Sequence, residues 1–110
     1  MKIYKYSLPE LDTYYKRMLT GHEFQLGGRP IAVRLAIGAS RYAFVWIEIP
    51  ETADIDDSPA LHFGNQGIEI LCMGTGHSFQ PYADGQTLWK YLDTIEDDSY
   101  VWHFYWRWVP

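Results

Sequence analysis

Gly74-Thr75-Gly76-His77 is the short stretch of this sequence best suited to hold a ligand. Paired glycines let backbone N–H groups approach an anion, and a threonine hydroxyl and an imidazole add side-chain donors. The stretch lacks the lysine and the length of a P-loop, and no helical pattern begins directly after it. The same four residues also suit a tight turn at a strand end, with a glycine supplying positive φ. His103 comes within reach if that turn lies beside the last strand. The candidate ligand-binding set is therefore Gly74, Thr75, Gly76, His77 and His103. Two imidazoles would also suit a small hydrolase using His77 and His103, against the plainer reading of hydrogen-bonded surface histidines. Metal chemistry is not expected: His22, His62, His77 and His103 never fall at the i, i+2 or i, i+4 spacings that put two ligands on one face.

Other reactive residue types read more plainly as structure. Cys72 sits inside an apolar run, where a thiol is ordinarily inert, and no serine has a nucleophile-elbow context. No catalytic residue and no cofactor is expected on these grounds. Acids cluster at Asp54, Asp56 and Asp57 within PETADIDDSP, a solvated loop that offers a partner-binding surface. Glu96-Asp97-Asp98-Ser99 is a turn former. Asp93 interrupts an aromatic face, either as an acceptor for an indole N–H or where that face meets solvent; solvent is the preferred reading.

These residues must be positioned by strands. Tyr100, Trp102, Phe104, Trp106 and Trp108 recur at period two, one face of a strand, and a turn at Asp97-Asp98 folds it back on residues 88–95. The expected register places Trp106 against Trp89, Phe104 against Tyr91, Trp102 against Asp93 and Tyr100 against Ile95. Ile68 to Met73 is apolar on both faces after Glu69, which predicts a central strand. A second hairpin pairs Ile31–Ile37 with Tyr42–Trp46 through a two-residue turn, putting Val33 and Leu35 on the face of Phe44 and Trp46. Residues 2–8 alternate and predict an edge strand, with Lys5 discouraging intermolecular pairing. From Pro9 to Leu19 the spacing of Leu11, Tyr14, Tyr15, Met18 and Leu19 predicts a short amphipathic helix closed by Gly21. The sum is a single α+β domain over residues 1–110, mainly antiparallel sheet (a small sandwich or half-barrel) with one short N-terminal helix.

Composition bounds the partners. A hydrophobic share of 47% supports a packed core, and a net charge of −5 with no basic run argues against binding duplex nucleic acid. No apolar run is long enough to span a bilayer, and the start MKIYKYSLPEL does not read as a signal peptide. A lone cysteine suits a reducing compartment, so cytoplasm is the expected location. Five Trp and nine Tyr are a surplus from which binding hot spots are made. Trp108, ending the aromatic stripe, is a candidate contact for a partner or for a homodimer.

Taken in order, Ile3-Tyr4-Lys5-Tyr6-Ser7-Leu8-Pro9, the apolar strand running into Gly74-Thr75-Gly76-His77, and Tyr100-Val101-Trp102-His103 resemble a family of short, uncharacterised phage and prophage proteins. The likeness covers residues 1–8 and about 22–104; the helix expected at 9–20 and the long aromatic end depart from it. It implies a phage-encoded protein acting in the host bacterial cytoplasm and supplies no activity. Three functions compete on this basis. One is a non-enzymatic protein that counters a host defence system by binding a host protein. The others are sequestration of a small nucleotide signal and the His77/His103 hydrolase.

Overall fold

The computed structural model describes residues 2–12, 14–36, 42–49, 66–75, 89–97 and 100–109. Along these run β1 (Lys2–Ser7), β2 (Tyr15–Thr20), a helical turn α1 (His22–Gln25), β3 (Arg29–Leu35), β4 (Ala43–Ile49), β5 (Gly67–Gly74), β6 (Lys90–Asp97) and β7 (Tyr100–Val109). All the pairings are antiparallel, in two sheets ordered β1-β4-β3 and β2-β5-β7-β6. The expected antiparallel character, the edge position of β1 and the central position of β5 all hold. One buried cluster joins both sheets, with Val33, Val45 and Ile47 from the first and Ile68, Ile70, Cys72, Phe104 and Trp106 from the second.

The two sheets also meet along one side, where edge strand β3 packs on edge strand β6. Asp93 closes that seam. Its Oδ2 accepts from the Val33 N–H and from Arg34 Nη1, both at 2.9 Å, and its Oδ1 accepts from the Thr94 N–H at 2.8 Å. The expectation that Asp93 marks the meeting of an aromatic face with solvent is corrected: its carboxylate joins two sheets.

The expected helix over 9–20 is not present. Tyr15 to Thr20 is extended and pairs with β5, from Tyr15 opposite Cys72 to Thr20 opposite Gly67. Met18 and Tyr14 of the supposed apolar face are exposed, and Leu11 is buried from a non-helical segment. The central strand needs a partner on this flank, and that ladder overrides a weak helical period. Close approach is required at Gly67, where a Cβ would collide with the Leu19 carbonyl oxygen.

The helix lies instead just downstream, at His22–Gln25. Gly27 takes φ 90°, the Gly27 N–H donates to Phe24 O at 3.2 Å and the Gly28 N–H to Glu23 O at 2.8 Å. Those two bonds form a Schellman stop. Phe24, fully buried, pins the turn to the core with Tyr6 beside it at 5.8 Å between ring centroids.

Both hairpins exist, but neither has the expected register. At the near end of the last hairpin, Asp97 pairs with Tyr100 and Ile95 with Trp102, so β6 has slid by one pleat repeat from the expected register. A bulge between Tyr91 and Asp93 then shifts the pairing again, and Trp106 faces Lys90 rather than Trp89. Trp89 packs elsewhere, under Arg107. In the first hairpin Val33 faces Val45 and Arg34 faces Phe44, odd against odd and even against even. The Ala36 N–H donates to Tyr42 O at 2.8 Å, so residues 37–41 separate the arms. An odd-length connection reverses the parity that a two-residue turn would give. Ala43, Val45, Ile47 and Ile49 therefore point inward, and Phe44 and Trp46 face outward.

Candidate functional site

Strand alternation decides what β7 presents. Trp102, Phe104 and Trp106 are buried in the core, which turns His103, Tyr105 and Arg107 to the outer face. The ladders then set His103 between Met73 of β5 and Thr94 of β6, and Tyr105 beside Tyr91.

A chain of side-chain hydrogen bonds crosses this face. Tyr91 Oη and Thr94 Oγ1 are 2.6 Å apart, Thr94 Oγ1 and His103 Nδ1 are 3.2 Å apart, and His103 Nε2 and Thr75 Oγ1 are 3.2 Å apart. Thr75 Oγ1 also donates to Val101 O at 3.3 Å. One proton arrangement satisfies every member. Tyr91 donates to Thr94, Thr94 donates to Nδ1, the Nε2–H donates to Thr75, and Thr75 donates to the carbonyl.

Around it lie further anchors of the same face. Tyr91 packs edge-on against Tyr105 at 5.8 Å. Arg107 donates to Glu69 Oε1 through Nε at 3.1 Å, with Nη2 at 3.0 Å from the same oxygen, and its guanidinium lies 4.3 Å from the Trp89 ring centroid.

The sequence-derived set is placed in part. Thr75 and His103 come together as expected, because β5 and β7 are neighbours and Thr75 directly follows β5. The Thr75 N–H donates to Val101 O at 3.0 Å, so this amide serves the strand end. Gly74 pairs with Trp102 inside the ladder. Gly76 and His77 lie outside the described residues, as do Asp54, Asp56 and Asp57. Trp108 packs edge-on against Trp106 at 5.2 Å and is partly buried against the core.

Cys72 is fully buried, and burial pushes its thiol up to about 12 despite the neighbouring Tyr15 hydroxyl, which favours the thiolate. Tyr15 is itself raised, first by burial and then by Cys72. A thiol so placed is not a nucleophile at neutral pH. Among the described residues no three His, Cys, Asp or Glu side chains gather as a metal site, and no helix is long and apolar enough to cross a membrane.

A second concave feature was not anticipated. On the outer face of the first sheet, Lys5, Ser7, Arg34, Tyr42, Phe44 and Trp46 help line a depression of about 740 Å³. The signal that could have found it is Glu48. It continues the alternation of Phe44 and Trp46, and a charged residue in that series marks the series as outward.

Comparison with protein-family models, curated proteins and solved structures finds no match to this chain.

Proposed function

We propose that this chain is a non-enzymatic binding protein of the phage type, which counters a host defence system by holding a host protein against the outer face of its second sheet. The observation that supports it is the Tyr91–Thr94–His103–Thr75 chain with Tyr105, Arg107 and Trp89 around it. Tyr, Trp and Arg dominate the energetics of protein interfaces. Here they are fixed by hydrogen bonds and ring contacts before any partner arrives, which lowers the ordering cost of association. The phage and host-defence part of the reading rests on the sequence resemblance.

The test is affinity capture from bacterial lysate with wild type, Tyr91→Ala and His103→Ala, each checked by circular dichroism. A protein enriched by wild type and lost with both folded variants supports the reading. One retained equally by both contradicts it.

A second reading, sequestration of a small nucleotide signal, is favoured by the depression on the first sheet.

A further inference from the structure

We infer that the depression on the outer face of the first sheet is a binding site for a small planar anion, an aromatic ring or nucleobase carrying a phosphate or carboxylate. This rests on the second reading above and locates it on the other sheet from Gly74 and Thr75.

Size comes first: about 740 Å³ lies within the range of small-molecule sites. The floor is aromatic. Phe44 and Trp46 stand edge to face, centroids 5.1 Å apart and planes at 89°, so one ring offers its edge beside the other's face. Tyr42, about half exposed, contributes a third ring at the rim. A flat ligand can stack on such a floor.

Charge selects the rest of the ligand. The chain carries a net −5, yet the described residues that line this depression include Lys5 and Arg34 and no acid. Both cations are positioned. The Lys5 ammonium lies 4.9 Å from the Phe44 ring centroid. The Arg34 guanidinium is anchored by one nitrogen, Nη1, to Asp93 and to Val33 O, while its side chain stays 60% exposed. Lys5 over the aromatic floor, with the exposed remainder of the Asp93-paired Arg34 guanidinium at the lining, fits a ligand with a ring at one end and an anionic group at the other. The Ser7 hydroxyl side of the rim adds a neutral donor.

Isothermal titration of the full chain with adenosine monophosphate, adenosine and 4-hydroxybenzoate tests this. Adenosine monophosphate or 4-hydroxybenzoate should bind with a dissociation constant below about 1 mM. Lys5→Gln, on an exposed side chain, should weaken that binding by about tenfold, the loss expected of a charged hydrogen bond. Trp46→Leu should weaken every ligand that binds, provided its melting curve remains cooperative. If 4-hydroxybenzoate binds through Lys5 and adenosine monophosphate does not, the site stands and the nucleotide reading fails. No binding of either anion, or binding that Lys5→Gln leaves unchanged, overturns the site.

Discussion

The outer faces of the two sheets use similar residue types to opposite effect. On the second sheet, His103, Thr94, Thr75 and Tyr91 bond to one another, and Arg107 is paired with Glu69. A partner there must meet a finished surface and exchange bonds with it. On the first sheet, Lys5 stands over the Phe44 ring of a concave aromatic floor that Arg34 also lines. A ligand there gains charge neutralisation and ring contact together. Each face has an arginine paired with a carboxylate, Arg107 with Glu69 and Arg34 with Asp93, so the difference lies in shape and in Lys5: a bonded face suits a large, shape-matched partner, and a concave aromatic one beside an ammonium suits a small anion.

Both faces depend on the shared core, and the largest effect should come from breaking it. Phe104 is fully buried where the two sheets meet. Phe104→Ala should cost about 3–5 kcal/mol in urea unfolding and abolish binding at both faces. Loss at one face with the other intact would show that the sheets do not share a core.

Alkali should come next. Cys72 and Tyr15 hold their protons more tightly folded than unfolded. The unfolded chain therefore releases protons first, and stability falls as pH rises above about 9, by roughly 1.4 kcal/mol per pH unit for each group ionised only when unfolded. The Cys72 contribution is complete below that pH and is lost as pH climbs to about 12. Urea midpoints from pH 8 to about 11 should show the decline, with a shallower slope for Cys72→Ala. A flat profile would contradict the burial of both groups.

The seam comes third. Asp93→Ala leaves the Val33 and Thr94 amides without their acceptor and should cost roughly 1–3 kcal/mol. Asp93→Asn keeps an acceptor oxygen and should cost less. Amide exchange at Val33 should accelerate in the alanine variant, and unchanged protection there would mean that the seam is held by packing alone. Smallest of all, Thr75→Val removes the hydroxyl bonds to Val101 and His103 and should cost about 1 kcal/mol in the same urea assay. A loss as large as that of Phe104→Ala would give Thr75 a structural role beyond the chain described.

The fold was legible in outline because period-two alternation survives any register. The central strand could be read from two apolar faces, and the meeting of Thr75 with His103 followed once β5 and β7 were neighbours. Register was not legible, since turn length and bulges set it. The bulge at Tyr91–Asp93 and the connection at 37–41 each moved side chains that alternation alone had placed. That parity reversal hid the depression, because it turned Phe44 and Trp46 from the core to the surface. Gly21 and Gly27 are equally good helix stops by residue type, and only the bonds made by the Gly27 and Gly28 amides distinguish them.

Whether a small anion seats on the first sheet and leaves the second untouched can be read residue by residue. Amide and side-chain NMR shifts can be followed during titration with adenosine monophosphate, and again with 4-hydroxybenzoate. Perturbation is expected at Lys5, Arg34, Phe44 and Trp46 with at least one of them, while Thr75, Thr94 and His103 stay still. Shifts centred on Thr75 and His103, or none at either face with either ligand, would contradict it.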